Sequence, residues 1–106
     1  MKNWKGIVLH CSDSEWGSAT LIDEWHKING WDGIGYHFVI CNGKVRSKTT
    51  LNFMDGNIEY GRSLEKQGAH ATGYNTDYIG ICLIGKHIFT VRQRESLHKL
   101  AVSYTH

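Results

Sequence analysis

Ile79-Gly80-Ile81-Cys82-Leu83-Ile84 is a run with no polar side chain. Both of its faces need cover, which is the pattern of a strand in the middle of a sheet. Working outward, Ile7-Val8-Leu9-His10-Cys11-Ser12 opens with another apolar strand over residues 7–10, and Gly35-Tyr36-His37-Phe38-Val39-Ile40 leads into a third over residues 37–41. Asn42-Gly43 follows, a dipeptide that favours a tight type I′ hairpin because both residues accept positive φ. It predicts residues 44–47 as the returning partner. Asp55-Gly56 is a second turn signal, and Asn57-Ile58-Glu59-Tyr60 alternates as a half-buried strand does. Five strands result.

Two helices complete the pattern. Ser18 and Thr20 offer N-caps for a helix over residues 21–28, where Leu21, Ile22, Trp25 and Ile28 share a face and Asn29-Gly30 ends the run. Thr90-Val91-Arg92-Gln93 matches a capping box, and Leu97, Leu100, Ala101 and Tyr104 mark the buried stripe of a final helix. That helix shows no stop signal before Tyr104-Thr105-His106, which reads as a helix interrupted by the end of the chain. Residues 61–73 read mainly as loop.

A chain of 106 residues with 41% hydrophobic and 21% charged residues is expected to form one core, and it fits neither a disordered nor a fibrous class. A net charge of +2 with scattered Lys and Arg argues against a nucleic-acid partner and suits a neutral or weakly acidic substrate. No apolar run is long enough to span a membrane. Met1-Lys2-Asn3-Trp4-Lys5 lacks the apolar region of a secretory signal, so synthesis in a cytoplasm is expected. Cys11, Cys41 and Cys82 have no C-x-x-C spacing and read as buried reduced thiols.

His10, at the end of the first strand, is the strongest candidate for chemistry. Neutral imidazole is a common zinc ligand, and a strand end aims it at the rim of the sheet. The spacing alone contains no H-E-x-x-H and no Cys–His cluster. Tyr36 either packs as a strand aromatic or supplies a hydroxyl to a developing oxyanion. His70, in Gly68-Ala69-His70-Ala71, and Asn75, in Gly73-Tyr74-Asn75, lie in a glycine-bounded loop and either line a cleft or fix a turn. His26 and His98 read as solvated helix residues, and His87, after Gly85, reads as a loop residue. Trp4, Trp16 and Trp31 are open to sugar stacking, Trp25 reads as core, and Cys11 beside His10 is a remote candidate nucleophile.

The segments His10-Cys11-Ser12, Gly35-Tyr36-His37-Phe38, Gly61-Arg62, Gly68-Ala69-His70-Ala71, Gly73-Tyr74-Asn75 and Ile79-Gly80-Ile81-Cys82-Leu83 together resemble, in order, the zinc-dependent N-acetylmuramoyl-L-alanine amidases. These are the amidase-type phage lysozymes, related in fold to animal peptidoglycan recognition proteins. The resemblance implies one α/β domain over residues 1–106, a mixed sheet of about five strands flanked by helices, and a groove for peptidoglycan or a muropeptide. It implies hydrolysis of the amide between N-acetylmuramic acid and L-alanine, acting on the bacterial cell wall. His10 matches the family's first zinc ligand, Tyr36 the tyrosine near the metal, and His37, His70 and Asn75 substrate-side positions at or near the groove.

The family takes its other two zinc ligands, a histidine and a cysteine, from a segment after the last helix. The resemblance therefore implies a domain lacking that segment, with zinc weakly bound or absent and activity impaired. A non-catalytic module on the same fold, binding peptidoglycan or another protein, is the alternative reading. A metal site completed by His106 or by a second copy of the chain is a third. Residues 45–57 read as longer than in the compact phage enzymes, altering one wall of the groove. Apolar surface left bare by the missing segment is expected to favour self-association.

Overall fold

The computed structural model describes residues 4–104, and they form a sheet with a helix on each face. In chain order the elements are β1 (Gly6–Cys11), α1 (Ala19–Ile28), β2 (Phe38–Arg46), β3 (Thr49–Tyr60), β4 (Tyr78–Leu83) and α2 (Val91–Tyr104). The spatial order is β1-β4-β2-β3. β4 pairs in parallel with β1 and β2, while β2 and β3 are antiparallel, so the sheet is mixed. The all-apolar run lies inside, as its two-sided pattern requires: Ile79, Ile81, Cys82 and Ile84 are fully buried.

The expected fifth strand does not form. β2 continues through Asn42-Gly43 to Arg46, and the chain reverses at residues 47–48 instead. Residues 44–47 are therefore not a separate partner strand, and Asp55-Gly56 lies within β3. The physical reason is that positive φ was read as a turn and is used for bulges. Gly43 (φ 89°) and Gly56 (φ 83°) flank a shifted register in which Asn42 pairs with Asp55. A Cβ on Gly56 would lie 2.8 Å from the Cβ of Arg92, so this glycine also lets α2 approach β3 closely.

Both helix caps form from the residues proposed for them. The Ser18 Oγ accepts from the Leu21 amide at 3.2 Å and starts α1 at Ala19, two residues before the expected start. At α2 the capping box is reciprocal: the Gln93 amide donates to Thr90 Oγ1 and the Thr90 amide to Gln93 Oε1. Gln93 then does a second job. Its side-chain nitrogen donates to the carbonyls of Ile40 and Ile84, tying the helix start to β2 and to the chain just after β4.

The core has two layers. Phe38, Ile40, Ile79, Ile81 and Leu83 pack with Leu100 on the α2 side, and Val39, Cys82 and Ile84 pack with Ile22 and Trp25 on the α1 side. Each large aliphatic side chain buried there contributes about 1.5–3 kcal/mol. Cover is thinner at β1, an edge strand, where Leu9 is 53% exposed. Cys41 and Cys82 are buried free thiols as expected, but Cys11 is exposed, because β1 has no neighbour beyond it. Among the described residues no helix is long and apolar enough to cross a membrane.

Candidate functional site

The candidate residues meet on the α1-side face of the sheet, over β1 and β4. On that face β4 presents Gly80, and the missing side chain makes room for an imidazole. A Cβ there would come within 2.5 Å of the His70 ring, and one on Gly68 within 2.3 Å. His70 is thus seated on bare backbone between two glycines. Its loop is fixed by Asn75, whose Oδ1 accepts from the amides of His70 (2.7 Å) and Ala71 (2.8 Å). Asn75 here holds the turn, and with His70 it also lines an open depression of about 320 Å³ bounded by Trp31, Ala69, Ala71 and Thr72.

His10, opposite Cys82 in the parallel register of β1 and β4, turns toward His70. The His10 Nε2 lies 3.0 Å from the His70 Nδ1, and the His70 Nε2 lies 3.1 Å from the Tyr78 carbonyl. Tyr36 completes the group, its ring centroid 5.0 Å from that of His10. Burial, with the thiols of Cys82 and Cys11 nearby, pushes the Tyr36 phenol up to about 12. The phenol is therefore a donor at every physiological pH. Burial also holds His10 below the usual imidazole range, and the facing His70 adds to this. His70 is lowered by burial and by Arg62, partly opposed by its bond to the Tyr78 carbonyl.

His37 needs a correction. It was expected to face substrate, and it is only 1% exposed. Its Nδ1 accepts from the Gly80 amide at 3.1 Å and its Nε2 donates to the Lys66 carbonyl at 3.0 Å. Both nitrogens thus serve the scaffold, and the ring lies behind His70 at a centroid distance of 5.9 Å.

His26, expected in solvent, is half-buried at 5.6 Å from the Tyr36 ring, and its Nδ1 accepts from the Gly35 amide at 3.2 Å. Its position four residues after the buried Ile22 was the signal, since that spacing places both on one helix face. Arg62 was not singled out as a site residue either. Its guanidinium donates to the carbonyls of Ile34 and Gln67, bracing the strand entry that carries Tyr36. His26, Trp31, Arg62 and Ala69 line a second depression of about 290 Å³. Trp31 and Ala69 border both depressions.

Two neutral imidazoles and a protonated phenol can accept a proton, offer nitrogen to a cation and donate a hydrogen bond to a developing oxyanion. They do not amount to a metal centre by themselves. A catalytic zinc takes three protein ligands, and among the described residues no three His, Cys, Asp or Glu side chains converge. His10 and His70 face each other instead. His106 lies outside the described residues.

The sequence matches the N-acetylmuramoyl-L-alanine amidase family over residues 1–104. The endolysin of Escherichia phage T7 is 36% identical over 108 aligned positions, covering 92% of this chain and 64% of that protein. Among solved structures, the N-acetylmuramoyl-L-alanine amidase LysC from Clostridium intestinale URNW superposes with a TM-score of 0.79 at 33% identity, over 96% of this chain and 62% of LysC. The ectodomain complex of peptidoglycan recognition proteins LCa and LCx, solved with bound tracheal cytotoxin, gives a TM-score of 0.76 at 26% identity, over 97% of this chain and 62% of that one. The chain therefore spans slightly less than two thirds of the length of these relatives. On this match and the 36% identity to the phage endolysin, the chain belongs to the N-acetylmuramoyl-L-alanine amidase family.

Proposed function

We propose that this chain is the sheet-bearing part of a peptidoglycan amidase that hydrolyses the amide between the lactyl group of N-acetylmuramic acid and L-alanine. The observation that carries the reading is the convergence of His10, Tyr36 and His70 on one face of the sheet, where His70 also lines an open depression of about 320 Å³. Substrate lies along Trp31, Ala69, His70 and Asn75, with its scissile carbonyl toward Tyr36. There the phenol, kept protonated by burial, donates to the oxygen as negative charge develops. His10 is the residue of this chain assigned to the family's zinc. The described residues supply too few ligands to hold that ion by themselves. The place of action is the bacterial cell wall.

A second reading uses the same surface. The depression lined by His70 and Asn75 can serve a non-catalytic muropeptide-binding or protein-interaction module. Zinc content and amide cleavage, measured on this chain and on a version extended to the length of the relatives, separate the two. The amidase reading expects little zinc here, about one ion per extended chain and release of L-alanyl peptides by the extended form. No zinc and no cleavage in either form would contradict the amidase reading, and muropeptide binding by the same samples would then support the binding module. About one zinc per chain in the 106-residue form would instead mean a site completed by a second copy or by His106. Leu9 and the bare edge of β1 support self-association of this chain, which light scattering reads directly.

A further inference from the structure

The proton in the His10–His70 contact can be assigned from the atoms around it. The Tyr78 carbonyl only accepts, so the His70 Nε2, 3.1 Å away, carries a hydrogen. A neutral imidazole has a single N–H, which leaves the His70 Nδ1 as a lone pair. That lone pair faces the His10 Nε2 at 3.0 Å. Two lone pairs cannot face each other at that distance, so the hydrogen between the rings is borne by His10.

We propose that His70 is a positioning residue: it holds His10 as the Nε2–H tautomer, leaving the His10 Nδ1 as the nitrogen with a free lone pair. Among the described residues that Nδ1 has no hydrogen-bond partner, and no side-chain nitrogen or oxygen is buried without one, so the lone pair is reachable from outside. Histidines that bind cations are set in this way, with one nitrogen donating to a neighbour that fixes ring orientation and tautomer. His70 is itself held on three sides, by the Tyr78 carbonyl, by the Asn75 clamp on its backbone and by the bare surfaces of Gly68 and Gly80. One layer deeper the same arrangement recurs, since His37 donates from Nε2 to the Lys66 carbonyl and accepts at Nδ1 from the Gly80 amide.

The inference rests on the reading of His10 as the working imidazole, yet its test does not depend on catalysis. Long-range proton–nitrogen correlation spectra of the nitrogen-labelled chain at neutral pH report which ring nitrogen of His10 carries the proton. The proposal expects it on Nε2. His70→Gln keeps a donor near the Tyr78 carbonyl but loses the acceptor at Nδ1, and it should lower the Nε2–H to Nδ1–H ratio of His10 about fivefold, the effect of one ordinary hydrogen bond. His70→Asn puts an acceptor back where Nδ1 stood and should keep the ratio within about twofold of wild type. A wild-type spectrum with the His10 proton on Nδ1, or an unchanged ratio in His70→Gln, overturns the proposal. If either variant fails to fold, the wild-type spectrum alone decides. A chain whose extended form cleaves no wall amide but keeps the tautomer pattern counts against the proposed function and not against this role of His70.

Discussion

The two faces of β4 are built from alternate residues of one strand and serve opposite ends. Toward α2 it presents Ile79, Ile81 and Leu83, which interlock with Phe38, Ile40 and Leu100. Toward the site it presents Gly80 and Cys82, small enough to leave space for His70 and Tyr36. The comparison teaches that a single run can be apolar throughout and still divide its labour by side-chain size. Volume on one side makes stability, and its absence on the other makes room for polar rings.

The largest effect should come from the filled face. Ile81→Ala leaves a cavity in a side that has no slack and should cost about 2–5 kcal/mol in urea unfolding, with the His10 and His70 ring signals unmoved. The next tests the empty face. Gly80→Ala puts a methyl within 2.5 Å of the His70 ring and should cost about 1–3 kcal/mol. Its distinguishing mark is loss of the His10–His70 contact, seen as a shift of both ring signals. If the two substitutions disturbed the site equally, the division between the faces would be broken.

The smallest effect is in pH. His10, His70 and His26 all have folded-state pKa values below the ordinary 6.5, first of all through burial. The unfolded chain therefore takes up protons near 6.5 that the folded chain refuses until lower pH. Stability should be fully present above that value and decline as pH falls through the folded-state values. Urea midpoints at about pH 7.5 and about pH 5.5 read the difference. His70→Asn should shrink the decline, whereas a substitution on the α2 side should leave it intact.

Strand and helix identities were legible because burial writes itself into periodicity: the run at 79–84, the strand at 7–10 and the stripe ending at Tyr104 all formed. The hairpin was misplaced because Asn42-Gly43 is a local signal, while the bulge that uses it depends on Asp55 across the sheet. His10, Tyr36 and His70, all singled out in the sequence, do come together in the fold, but what each side chain does was not legible. Nothing near His37 in sequence says that its two nitrogens are taken by Gly80 and Lys66, 43 and 29 residues away. Asn75 and Arg62 likewise act through backbone groups that only the folded loop brings to them.

Titration of the labelled chain with a muropeptide containing N-acetylmuramoyl-L-alanine tests the central claim most directly, by mapping which backbone amides move. The account predicts shifts at His10, Tyr36 and His70, where the rings converge, and at Trp31 and Asn75 in the depression beside them. An absence of shifts at saturating ligand, or shifts confined to Asp55, Arg92 and Lys99 in the groove between β3 and α2, would contradict it.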